Sequence, residues 1–143
     1  MLTRLSVLAL VLLLASPAQV YAAKKDELKL ITSYLTSGDR DTPDEFFKCT
    51  DSIDFKHEDV IFYIGNFTWE DFEKSGGRHE TKYIWYSNGN PVGAPKWKGV
   101  FKTAPWEVRT NIWAATLGYG EHKVELYVDN ELVDTKNFKV VKD

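Results

Sequence analysis

Alternation with a period of two constrains this chain more than any other feature. From His122 to Asp129, Val124, Leu126 and Val128 point one way, while Lys123, Glu125, Tyr127 and Asp129 point the other. A pleated strand puts successive side chains on opposite faces in this way, so the segment suits a sheet with one face buried. His79 to Tyr86 repeats the pattern, with Thr81, Tyr83 and Trp85 against Lys82, Ile84 and Tyr86. Glu107 to Ala115 repeats it again, with Val108, Thr110, Ile112 and Ala114 against Arg109, Asn111 and Trp113. Val60 to Ile64 differs, because its residues are apolar without interruption. Such a run predicts a central strand covered on both faces, ending at Gly65-Asn66.

Turn signals separate these runs. Asn88-Gly89 is a strong hairpin signal, since both residues tolerate positive φ, and Asp129-Asn130 turns the chain into a last strand from Leu132 to Val141. Ser37 to Asp44 is polar and rich in chain breakers. Leu28 to Thr36 reads as a first strand, although its apolar spacing also suits a short helix. Trp97 to Thr103 reads as an edge strand, with Lys96, Lys98 and Lys102 discouraging edge-to-edge pairing. Trp69 to Arg78, which carries Glu70, Asp71 and Glu73, reads as a longer loop. With no long helical pattern, the expected fold class is all-β: a single antiparallel β-sandwich of about seven to eight strands.

The first 22 residues carry a separate message. Arg4 gives a positive start, Leu5 to Ala15 are apolar, Ser16-Pro17 breaks the run, and Val20-Tyr21-Ala22 offers small residues to a signal peptidase. The run is too short to cross a bilayer. Residues 1–22 therefore read as a cleaved signal peptide and 23–143 as the exported domain, periplasmic or secreted, without stable membrane insertion after cleavage. No Cys follows the apolar run, so no lipoprotein acylation site is expected. Cys49 is the single cysteine and cannot form an internal disulfide, unlike the bridges of many small secreted domains. Stability must then come from the core. The chain has 5 Trp, 8 Phe and 7 Tyr, and each buried ring removes about 150–250 Å² from water. A net charge of −3 and the lack of a basic stripe argue against a nucleic-acid partner.

From about Leu28 to Val141 the chain resembles small exported bacterial immunoglobulin-like domains of uncharacterised function. The likeness is carried by Trp85-Tyr86-Ser87-Asn88-Gly89-Asn90-Pro91-Val92, by Arg109-Thr110, by Leu117-Gly118-Tyr119-Gly120-Glu121-His122-Lys123-Val124-Glu125-Leu126, and by Phe138-Lys139-Val140. These are core and turn residues. The resemblance implies an immunoglobulin-like sandwich and brings no activity with it.

Catalytic constellations are lacking. His57, His79 and His122 form no His-Glu-x-x-His helix, no Gly-x-Ser-x-Gly elbow exists, and no family signature surrounds Cys49 and His57. Cys49 lies near Phe46 and Phe47, where a thiol behaves as a small buried hydrophobe. Asp51, Asp54, His57, Glu58 and Asp59 offer oxygen and imidazole ligands, but without a glycine-containing calcium loop or zinc spacing. The expectation is a chain that is not an enzyme, with no catalytic, metal or cofactor residues and no cofactor. Asn66-Phe67-Thr68 fits a glycosylation pattern and is read as chance.

Aromatic residues give the functional lead. Trp85 is expected to fill the core from a central strand. Trp69, Phe72, Trp97, Trp106 and Trp113 are the candidate binding residues. The competing reading has these rings capping the sandwich ends and covering its second sheet. The expected function is a non-catalytic exported binding module engaging a protein or cell-envelope component. The alternative is a carbohydrate-binding module that stacks glycan on exposed Trp rings. Coplanar solvent-facing rings favour the sugar; a rimmed apolar patch or an uncovered sheet edge favours a protein.

Overall fold

The computed structural model describes residues 28–38 and 53–143. Residues 1–22, read above as a signal peptide, the polar stretch 39–44 and Cys49 lie outside the described residues. Two sheets face each other across one aromatic core. The smaller has three strands in the order β1 (Lys29–Gly38), β3 (Val60–Thr68) and β7 (Trp106–Trp113). The larger runs β2 (Asp54–Lys56), β9 (Glu131–Val141), β8 (Gly120–Val128), β4 (Gly77–Ser87) and β5 (Asn90–Gly93). A further strand, β6 (Lys96–Phe101), pairs with the first half of β4 on the side where β5 takes the last residues.

The alternating segments all become strands with the expected faces inward. Thr81, Tyr83 and Trp85 are buried on β4, and Val124, Leu126 and Val128 on β8. Both hairpin signals act as turns: Asn88 and Gly89 have φ of 47° and 87°, and Asp129 and Asn130 have φ of 50° and 68°. Two successive left-handed residues match the twist of the strands they join. Val60 to Ile64 is buried throughout, as its unbroken apolar run predicts. It forms the middle strand of the smaller sheet. Ile61 and Tyr63 join the main core, while Val60, Phe62 and Ile64 make a second cluster with Tyr34.

The structure departs from the sequence expectation at three places. β3 does not stop at Gly65-Asn66 but continues to Thr68, paired on both sides. Gly65 serves a close approach there, since a Cβ would lie 3.2 Å from Leu30 Cδ1 and 3.3 Å from the Tyr63 ring. The expected long loop is tighter than its composition suggests. Asp71 Oδ1 accepts from the Glu73 amide at 3.0 Å and caps a single helical turn, α1 (Phe72–Ser75), after which β4 begins at Gly77. Asp54–Lys56, in a segment the sequence offers only as possible metal ligands, forms β2, which pairs with β9 in parallel and buries Phe55. Three residues are too few to display alternation. A second helical turn, α2 (Ala114–Leu117), links β7 to β8.

Candidate functional site

Phe101 is the hub of the open side of the sandwich. Its ring, fully buried at the end of β6, is surrounded by His79, Phe67, Trp106, Trp69 and Trp97 at centroid distances of 4.6, 5.8, 5.8, 6.2 and 6.4 Å. Alternation along β6 places Trp97, Gly99 and Phe101 on one face. Trp97 lies flat along its own strand, so a Cβ on Gly99 would collide with its ring. The missing side chain at Gly99 is what lets Trp97 fold down towards Phe101, with 24° between the two ring planes. His79 ties the hub to its surroundings. One ring nitrogen is 2.6 Å from Asp129 Oδ2 and the other 2.7 Å from the Ser75 carbonyl.

Beside this cluster, a groove of about 230 Å³ opens between β6 and β7, lined by Thr81, Tyr83, Trp97, Trp106, Val108, Glu107 and Arg109. Burial pushes the Tyr83 phenol above its ordinary range, so it stays a neutral hydroxyl there. Glu107 and Arg109 form a loose ion pair at the rim, with Nε to Oε1 at 3.6 Å. Small-molecule pockets run to about 300–1,000 Å³. This groove is nearer the size of one large side chain.

The five aromatic candidates divide. Trp97, 45% exposed, and the partly buried Trp106 meet at the groove. Trp69 turns into the core and is only 9% exposed, so its ring serves packing and is not a surface platform. Phe72 is exposed on α1, covering Gly76, and Trp113 is exposed on the outer face of β7; neither lines the groove. Sequence reasoning missed Phe101, Tyr83, Glu107 and Arg109 as partners of the two Trp residues. The Trp-x-Gly-x-Phe spacing of β6 was the available signal for Phe101. The others required knowing which strands meet.

A second cluster covers the outer face of the larger sheet. Glu125 is 8% exposed, accepts from Tyr127 at 3.2 Å and lies 3.5 Å from Lys123 Nζ. Its hydrogen bond with Tyr86 holds the carboxyl below its usual value, and raises the Tyr86 phenol to about 12. Lys123 and Lys82 stand over the Tyr86 and Tyr127 rings at 4.5 and 4.6 Å. Mutual saturation of these groups suits a supporting role. Among the described residues, no group of three His, Asp or Glu could hold a metal ion. No helix among them is long and apolar enough to cross a membrane.

The fold is an immunoglobulin-like β-sandwich. It is similar to an immunoglobulin-like protein from Pseudomonas aeruginosa, with a TM-score of 0.50 and 11% identity over 82% of this chain and 99% of that one. It is also similar to part of the Pseudomonas fluorescens alkylpurine DNA glycosylase AlkC, solved with DNA containing an abasic-site analogue. There the TM-score is 0.53 and the identity 14% over 80% of this chain. The match spans 30% of the glycosylase's length, and at these identities both likenesses concern the fold alone. No protein-family model and no curated protein matches the sequence.

Proposed function

We propose that this chain is a non-catalytic, exported binding module whose groove between β6 and β7 holds an apolar side chain of a protein or cell-envelope partner. The observation that carries the reading is the groove itself. A half-exposed Trp97 and Trp106 flank it, and Glu107 and Arg109 supply a charged rim. Rigid aromatic anchors around a desolvated recess, enclosed by polar residues, are the usual make-up of a protein-binding hot spot. The mild negative charge disfavours a nucleic-acid partner. A position after the signal sequence gives the partner's compartment as the envelope or the exterior.

The test compares the exported domain with its Trp97→Ala and Phe72→Ala variants as baits in native envelope extract. A partner lost with Trp97→Ala and kept with Phe72→Ala, with both variants still folded at the assay temperature, supports the groove. Capture equal for all three would remove it. Quenching of Trp fluorescence by soluble envelope polysaccharide, without a captured protein, would hand the site to the glycan reading.

A further inference from the structure

The edges of the two sheets are not equally protected. β1 carries a register break between Leu30 and Thr32, β2 has three residues, and β5 has four and contains Pro91. β6 carries Lys96 and Lys98. Each is a device against pairing with another strand. β7 is neither short nor broken, and its two charged residues, Glu107 and Arg109, pair with each other. It pairs with β3 over its full eight residues without a break, contains no Pro, Gly or Lys, and its second edge pairs with no strand among the described residues. The Ala114 amide donates to the Asp59 carbonyl at 2.9 Å, which fixes the phase of the β3–β7 ladder. By alternation, the main-chain groups of Glu107, Arg109, Asn111 and Trp113 then point away from β3, toward the open edge.

We propose that β7 pairs antiparallel with β7 of a second copy of this chain, about a two-fold axis at Thr110. The strand is complementary to itself in that register. Thr110 faces Thr110, Val108 faces Ile112, Arg109 faces Asn111 and Glu107 faces Trp113, so seven of the eight strand residues take part and no like charges stand directly opposite. Centring the axis on Arg109 sets two guanidinium groups together, and centring it on Val108 leaves only five residues paired. This register supplies about eight new main-chain hydrogen bonds and joins two three-stranded sheets into one. Such an interface is isologous and closed, which limits assembly to a dimer. This inference rests on the strand's edge, although Trp106, Glu107, Val108 and Arg109 of β7 also line the aromatic groove.

Charge placed at Asn111 tests the register, because in it residue 111 lies opposite the partner's Arg109. Sedimentation equilibrium of the exported protein should show a monomer–dimer equilibrium. Asn111→Lys should weaken it and Asn111→Glu tighten it, each by about tenfold, since the altered pair occurs twice per dimer. In a Cys49→Ser background, Thr110→Cys should form a disulfide dimer on mild oxidation, while Asn111→Cys should not. Both positions are at least partly exposed, and melting curves verify folding. A wild type that stays monomeric at all concentrations overturns the proposal. So do equal dimerisation by the Lys and Glu variants and cross-linking at 111 as efficient as at 110. Trp97→Ala should leave the dimer intact, so loss of partner capture and loss of dimerisation can be told apart.

Discussion

Trp85 and Trp97 sit on strands with the same local pattern and in opposite surroundings. Trp85, on β4, has β8 on one side and β5 on the other, meets Phe138 edge-on at 6.0 Å, and is 1% exposed. Trp97, on β6, has a neighbouring strand on one side only among the described residues and is 45% exposed. Burial therefore follows a strand's place in the sheet more than the side chain's own hydrophobicity. In the centre a ring is fixed by packing from all directions; at the rim it has one face to offer.

The largest expected effect tests the central half of that contrast. Trp85→Ala should cost about 3–5 kcal/mol in denaturant unfolding, because it empties a site the surrounding strands cannot close. Gly99→Ala comes next. Its new Cβ collides with the Trp97 ring, and overpacking of this kind costs about 1–3 kcal/mol. Trp97 should then lift from the hub, and a red shift in tryptophan emission would report it. Trp97→Ala should cost about 1 kcal/mol, since nearly half the ring already meets water. Destabilisation equal to that of Trp85→Ala would make Trp97 a core residue and end the contrast.

The smallest effect concerns the outside of the central strands. Tyr86, and after it Lys123 and Tyr127, hold the Glu125 carboxyl below its usual value. A carboxylate favoured by the fold adds stability above its unfolded value of about 4.3, and that stability disappears as pH falls through the folded value. Glu125→Gln should therefore lower stability slightly at pH 7 and flatten its decline toward pH 3, as read from unfolding curves across that range. An unchanged acid limb would mean that the cluster is solvated and contributes nothing.

Strand phase was readable because it is local. Val124, Leu126 and Val128 turn inward for the same reason that Lys123, Tyr127 and Asp129 turn out, and the glycine and asparagine turns need only their own φ angles. The unbroken run at Val60 to Ile64 was equally plain, since a strand buried on both faces has no polar side to show. The candidate site was half legible. Trp97 and Trp106 were named and do meet, but so was Trp69, whose acidic neighbours suggested a surface loop while its ring packs against Phe101. A one-residue view cannot separate these cases, because an aromatic beside charged residues occurs equally at a core boundary and on a surface.

By itself, the sequence determined the longer alternating and apolar strands, the face each of them buries and where the tightest turns fall. Periodicity and positive-φ residues act over a few positions, so the linear order of side chains is enough to set them. Only the tertiary structure decided that β6 joins β4 and that one edge of β7 has no partner strand among the described residues, that Asp54–Lys56 pairs in parallel with β9, and that Phe101 gathers five rings around it. Those outcomes depend on contacts between residues far apart in the chain. Which strand lies beside which is settled by the joint packing of both sheets, and no local pattern encodes it.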